Sequence, residues 1–324
     1  MSAPARVLVI KLSALGDVVQ AFPAFDRIRA AHPDARITLL TTASYAALAA
    51  AGPWFDAVEA DGRPRGFAGT MALIGRMRRR RYDVVYDLQG NDRTNALFQA
   101  LRPFPPRWSG VAFGCALPHR NPDRMRMHTL ERQAEQLRDA GIWPDAPTAP
   151  GTAPAPDVSW MLGREPAVPG DVLAEPRPVA LLVPGAAPHR PAKRWPADRY
   201  ADLAQRLGDL GLAVQLVGGL AEMALAQDIA SDAPGVVNLA GRTDFAGLAA
   251  LGARATLAVG NDTGPMHLIA AAGAPSVCLF SADSDPALCA PRGDVTILLE
   301  PDLADLPVRA VLDAAVTRMA IHGR

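Results

Sequence analysis

RVLVIKLSALGDVVQAFPA, residues 6–24, sets the reading of the whole chain. Four aliphatic residues, Val7–Ile10, are followed within eight positions by the start of a helical pattern, Val18–Ala31. A short buried run that feeds a helix is the start of a strand–crossover unit. The pattern repeats: Ile37–Leu40 reads as a second strand, residues 67–80 as a helix and Val84–Leu88 as a third strand. Continuous apolar runs, rather than alternating ones, belong to strands buried on both faces of a parallel sheet.

Residues 143–178 interrupt the alternation. Nine of these 36 positions are proline, which cannot donate to a ladder or continue a helix, so a linker or long irregular connection is expected. Alternation then resumes with strands at Val179–Val183, Ala213–Val217, Val236–Leu239, Ala255–Val259 and Ser276–Phe280. Helices fall between them at Asp198–Leu210, Glu222–Ala230, Phe245–Gly252 and Met266–Ala272. The expected organisation is a first α/β domain over 1–155, a Pro-rich linker over 156–178 and a second α/β domain over 179–324. The last helix, Pro307–Ile321, is the element that could return to the first domain. Two such halves, facing each other across a cleft, would bind ligands at the carboxyl ends of their strands.

The totals exclude several classes. The 324 residues carry 33 basic and 33 acidic side chains, so no general attraction to nucleic acid is expected. The balance is uneven, however. Residues 1–155 hold 20 basic against 14 acidic side chains and residues 156–324 hold 13 against 19, a difference that suits an anionic partner for the first half. Cys115, Cys278 and Cys289 form no disulfide framework. The apolar run that ends at Lys11 is too short for a signal-peptide core, and no run of 18 apolar residues occurs. A cytoplasmic protein is expected, one able to touch a membrane surface.

Three strand-end motifs carry the chemistry. Lys11–Asp17 forms the first turn. Gly16 there permits close approach or positive φ, and Asp17 reads either as a helix N-cap or as a catalytic carboxylate. Residues 260–267, GNDTGPMH, place Asp262 or Thr263 at a helix start with Pro265 in its first turn. Free N–H groups at that point suit a diphosphate, which His267 could also reach. Residues 184–196, PGAAPHRPAKRWP, form a basic Gly/Pro turn. The chain has 31 arginines and two lysines, and Lys11 and Lys193 both fall in these turns. Glu222 follows Gly218-Gly219, where it could accept from sugar hydroxyls or serve as an ordinary first-turn acid. The run from Arg76 to Arg81 reads as a solvated helix end or as a surface for lipid phosphates. No metal-ligand spacing and no nucleophile elbow is present.

Residues 6–24, the string YDVVYDLQGNDRTNAL (82–97), the basic turn at 184–196 and VGNDTGPMHLIAAAGAPSVCLF (259–280) occur in an order that resembles glycosyltransferase family 9, the bacterial heptosyltransferase family of lipopolysaccharide core assembly. The likeness spans roughly residues 6–300. It implies a GT-B fold of two Rossmann-like domains and an inverting, metal-independent transfer without a cofactor. The donor would be a nucleotide-diphosphate sugar, typically ADP-heptose, and the acceptor an anionic lipid-linked saccharide at the inner face of the inner membrane. On this resemblance Asp17 would be the general base, supported by Lys11, Ser13 and Gly16. Lys193 would bind the donor phosphate. Asp262, Thr263, Gly264 and His267 would line the donor site, with Glu222 near the nucleotide. His128 and Arg132, with Glu131, would lie on the acceptor side. The chain departs from the family at 281–286, SADSDP, where a Gly-x-Thr-like turn is common; Asp283 and Asp285 are expected to bring two carboxylates to the donor pocket. It departs again at Asn91-Asp92-Arg93. Other readings are a nucleotide-sugar 2-epimerase of related architecture, which would need no acceptor, and a non-catalytic nucleotide-sugar binding protein.

Overall fold

The computed structural model describes residues 4–187 and 189–321. Pro188, in the basic Gly/Pro turn, lies outside them. The chain forms two compact units, Met1–Pro156 and Asp157–Arg324, each built on one six-stranded parallel sheet.

The first unit runs β1 (Arg6–Ile10), α1 (Leu15–Val19), α2 (Phe22–Ala31), β2 (Arg36–Leu40), α3 (Ala43–Ala51), β3 (Ala57–Glu59) and α4 (Gly66–Arg80). It continues with β4 (Val84–Asp87), α5 (Asp92–Ala100), β5 (Arg107–Gly110), β6 (Leu117–Pro118) and α6 (Thr129–Asp139). Its strand order is β3-β2-β1-β4-β5-β6. The winding runs outward from β1 through β2 to β3, then returns to the other side of β1 for β4. The single helix expected over 18–31 is two. Pro23 lies in the first turn of α2. There its missing N–H costs nothing, whereas in the interior of one long helix it would delete a hydrogen bond and clash with the preceding turn.

The second unit runs α7 (Ser159–Leu162), α8 (Gly170–Leu173), β7 (Val179–Val183), α9 (Ala197–Asp209), β8 (Ala213–Leu216), α10 (Met223–Asp232) and β9 (Val237–Asn238). Then come α11 (Phe245–Arg254), β10 (Leu257–Asn261), α12 (Gly264–Ala271), β11 (Ser276–Phe280), α13 (Pro286–Cys289), β12 (Val295–Leu299) and α14 (Val308–Ile321). Its order, β12-β11-β10-β7-β8-β9, repeats the reversal, now between β7 and β10. The core gathers the inner faces of α9 and α14 over the sheet. On α9 the buried positions Tyr200, Leu203, Ala204 and Leu207 follow helical spacing. Burying each leucine there contributes roughly 1.5–3 kcal/mol. α14 packs on α9 and on the β10–β12 side of the sheet.

The proline-rich stretch is more than a connection. It carries α7 and α8, and α7 packs on α11. Asp244, the N-cap of α11, accepts from Gly247 N–H at 2.7 Å and from Ala167 N–H at 3.2 Å. One carboxylate thus caps a helix and pins the stretch to it.

Gly260 on β10 touches its neighbours through the absence of a side chain. A Cβ there would stand 2.6 Å from the Val183 Cβ and 2.7 Å from the Met266 sulfur. Gly260→Ala is expected to destabilise by about 1–3 kcal/mol through overpacking. This should lower the thermal midpoint by about 2–10 °C, read by circular dichroism.

Candidate active site

In each unit the reversal of winding leaves a gap beyond the strand ends, and the lysines stand there. Lys11 follows β1 directly. It is buried, and its Nζ donates to the Leu88 carbonyl at 3.3 Å and lies 3.7 Å from Asp17 Oδ1. Burial pulls the Lys11 ammonium below its ordinary pKa. The charges of Asp17 and Asp87 oppose that shift, and Arg132 adds to it.

Asp17 is not the N-cap of α1. Ala14 holds that position, and Asp17 Oδ2 reaches back one turn to accept the Ala14 N–H at 2.9 Å. The carboxylate therefore closes the turn and still keeps 44% of its side-chain surface open. Gly16 is buried in the first turn of α1 with a helical, not left-handed, backbone. The Ser13 hydroxyl accepts from Arg63.

The turn is braced from β4. Gln89 Oε1 accepts Leu12 N–H at 2.8 Å and Ser13 N–H at 3.4 Å. Asp87, wholly buried at the end of β4, accepts from Gln89 N–H at 3.1 Å and Gly90 N–H at 3.0 Å. Burial pushes its carboxyl upward, against those bonds and the Lys11 charge. Asp87 and Gln89 were not singled out as site residues from the sequence. The available signal was an acid at the end of an otherwise apolar strand run.

On α6, Arg132 donates to Thr129 Oγ1 at 3.3 Å. Burial lowers its pKa while the charge of Asp17 raises it, so the two side chains share one electrostatic neighbourhood. His128 is the N-cap of α6. Its Nδ1 accepts the Leu130 N–H at 3.3 Å and stands 3.3 Å from the buried Glu131 carboxylate. Nearby, Glu135 accepts from His119 Nε2 at 2.8 Å and from Asn121 Nδ2 at 2.8 Å.

The second unit assembles most of its expected residues. Lys193 Nζ lies 2.5 Å from Asp262 Oδ2 and donates to Ser284 Oγ at 3.0 Å, and Ser284 Oγ donates to the same Asp262 oxygen at 2.5 Å. His267 Nε2 stands 3.9 Å from Asp262 Oδ1. Thr263 is the N-cap of α12 through its extended backbone, without a side-chain cap bond, and Gly264 is the first helical residue. Ahead of them Asn261 bonds on every side. Its Oδ1 accepts Trp195 N–H at 3.1 Å and the Tyr200 hydroxyl at 3.0 Å, and its Nδ2 donates to Pro184 O at 2.8 Å and Gly185 O at 3.3 Å. One amide therefore fixes the β10 end to the turn after β7.

Glu222 sits at the neighbouring strand ends. Its Oε2 accepts Gly219 N–H at 2.9 Å. A Cβ at Gly185 or Gly218 would come within 2.6 or 2.9 Å of its side chain. At the departure, residues 281–286, Asp283 and Asp285 flank the residue that makes the contact with Lys193. The group that reaches Lys193 is the hydroxyl of Ser284, not an extra carboxylate. Asp285 caps α13 by accepting Ala287 N–H at 2.9 Å, and Asp283 contributes its backbone carbonyl to Arg190 at 3.0 Å. Among the described residues, no group of three or more His, Cys, Asp or Glu side chains converges as a metal site.

The family model for glycosyltransferase family 9 (heptosyltransferase) matches residues 70–304. The chain belongs to this glycosyltransferase family. It is 26% identical to the lipooligosaccharide heptosyltransferase 2 of Haemophilus influenzae, covering 91% of this chain and 88% of the relative. It is 29% identical to the lipopolysaccharide heptosyltransferase 2 of Escherichia coli, covering 86% and 83%. Among solved structures it resembles the E. coli ADP-heptose lipopolysaccharide heptosyltransferase II, with a TM-score of 0.78 at 23% identity over 98% of this chain and 100% of the other. The fold class is GT-B, with two Rossmann-like units. The family match begins at residue 70 and so leaves out Lys11 and Asp17, which makes the geometry around β1 an independent guide.

Glu135 supplies a test of how this glycosyltransferase's first unit is held. Burial works to raise its pKa, but the His119 and Asn121 hydrogen bonds outweigh it and hold the carboxyl below its ordinary 4.5. Between the folded value and 4.5 the unfolded chain binds more protons than the folded chain, so stability rises with pH there. The contribution is complete above 4.5 and is lost as pH falls through the folded value. Urea titrations across this window should show a shallower pH dependence in Glu135→Gln than in the unmodified protein. Equal slopes would remove Glu135 from the account.

Proposed function

We propose that the chain is an inverting heptosyltransferase that takes ADP-heptose as donor and transfers the sugar to a hydroxyl of a lipopolysaccharide-core-type acceptor, with no metal or cofactor. The reaction would take place in the cytoplasm at the inner face of the inner membrane. The observation that carries the reading is Asp17, an open carboxylate with one oxygen fixed by the Ala14 N–H and the other facing a buried lysine. The names of its relatives, lipooligosaccharide and lipopolysaccharide heptosyltransferase 2, support the sugar and the acceptor class. The ADP-heptose enzyme of the same fold supports the nucleotide.

In this reading Asp17 removes the acceptor hydroxyl proton as the new C–O bond forms on the face of the sugar opposite the leaving group. The bond from the anomeric carbon to the diphosphate breaks in the same step, which inverts the centre. Negative charge then grows on the departing ADP. Lys193 is a flexible point charge suited to that oxygen, and the α12 N-terminus at Thr263–Gly264 adds its N–H groups. The donor diphosphate would compete with Asp262 for Lys193, leaving Ser284 and His267 to keep the aspartate satisfied. Arg132, close enough to Asp17 to feel its charge, suits an anionic acceptor.

Calorimetric titration with ADP-heptose, ADP, and GDP- and UDP-sugars tests the donor. Selective ADP-heptose binding is expected, weakened about ten- to a hundredfold in Lys193→Ala. Preference for another nucleotide sugar would overturn the heptose assignment. Asp17→Asn is expected to lower the transfer rate by about 10²–10⁴ with donor affinity unchanged. Undiminished transfer in that variant would remove Asp17 as the base.

A further inference from the structure

At the amino ends of the first sheet, the opposite end from Lys11 and Asp17, lie two arginine-lined cavities. One, of about 680 Å³, is lined by Arg78 and Arg81 at the end of α4 and by Arg102 just beyond α5, with Phe104 and Pro105 beside them. The other, of about 250 Å³, is lined by Arg6 at the start of β1, Arg36 at the start of β2, and Arg80. Tyr82 borders both. Arg79 and Arg107 are exposed at the same end.

Three acidic groups lie in reach. Glu59 pairs with Arg76 and Arg80, Asp56 pairs with Arg29 and also feels the charge of Arg36, and Asp83, which lines the larger cavity, accepts the backbone N–H of Arg6. Among the described residues, Arg36, Arg79, Arg81, Arg102 and Arg107 have no carboxylate within the 4.0 Å of an ion pair. Arginine is this chain's habitual cation, so the residue type alone says little. Its concentration at one end, in excess of the carboxylates there, is the informative fact. Like charges gathered so closely favour the unfolded chain unless an anion meets them.

We propose that this end of the first unit docks on a bilayer surface through anionic lipid headgroups. Two features favour a bilayer over a single small anion. The six lining arginines are divided between two cavities, so several phosphates are engaged at once. The larger cavity also has an apolar wall, Met77, Leu101 and Pro103–Pro106, from which Phe104 projects with 90% of its surface exposed. An aromatic ring beside guanidinium groups matches the boundary between headgroups and acyl chains. No helix among the described residues is long and apolar enough to cross a membrane, so contact through these residues' helices would be peripheral. Docking here leaves the β1 carboxyl end clear by the length of that strand, about 17 Å.

The test is co-sedimentation of the full chain with vesicles of phosphatidylcholine alone and of phosphatidylcholine mixed with phosphatidylglycerol, at low and high salt. Binding is expected only to the mixed vesicles, and it should weaken with salt. Arg36→Gln with Arg81→Asn, where asparagine tolerates the left-handed backbone at position 81, should weaken it roughly fivefold per arginine. Phe104→Ser should weaken it further, with melting curves and ADP-heptose titration matched to the unmodified protein. Equal binding to neutral vesicles, or an unchanged double variant, overturns the proposal. So does binding of inorganic phosphate in the calorimeter with no vesicle binding, which would assign the cavities to a free anion. Vesicle binding needs neither donor nor acceptor, so this result and that of the transfer assay fail independently.

Discussion

Parallel strands cannot be joined by tight turns, so each needs a crossover that returns the chain to the same edge. When the winding reverses, two adjacent strands send their crossovers in opposite directions and nothing covers the ends between them. Both sheets of this chain reverse once, between β1 and β4 and between β7 and β10. Lys11 follows β1, Asp87 ends β4, the turn bearing Lys193 follows β7, and Asp262 follows β10. The candidate site residues stand where the topology leaves backbone groups uncovered.

The two lysines occupy related positions but meet different surroundings. Lys11 is buried between two aspartates and an arginine, and its charge serves to hold Asp17 and the β4 end in register. Removing that charge would leave the wholly buried Asp87 carboxylate without the cation that works against its burial. Lys193 is less enclosed and shares Asp262 with a serine hydroxyl, so its partner has a second donor ready if the ammonium turns to another anion. In the proposed reaction this difference separates a lysine that positions from one that binds.

The sequence made the strands legible because parallel strands buried on both faces are uninterrupted aliphatic runs; Val179–Val183 and Ser276–Phe280 fall where composition alone locates them. The split between α1 and α2 depended on one proline, whose effect turns on whether it lies in a first turn or an interior. Asp17 was legible as a candidate for either a cap or a catalytic carboxylate, and which backbone N–H it takes was not, because that is a matter of turn geometry. Ser284 escaped notice as a ligand-site residue because a lone serine in a polar loop carries no periodicity. Its meaning comes from the fold bringing it onto Lys193 across a sequence separation of 91. Asn261, inside a quoted motif, was passed over because its four partners are backbone and side-chain groups scattered from Pro184 to Tyr200.

Glu222 rests in a seat made of two missing Cβ atoms, at Gly185 and Gly218. Neither glycine has the positive φ that often explains glycine, so the requirement there is one of space imposed by a third residue. An alanine at either position could be accepted only after the side chain at 222 had shortened or moved. A longer side chain at 222 is harmless only while both glycines remain. The three positions are therefore coupled: a side chain added at either glycine has to be answered by a shift or a shortening at 222.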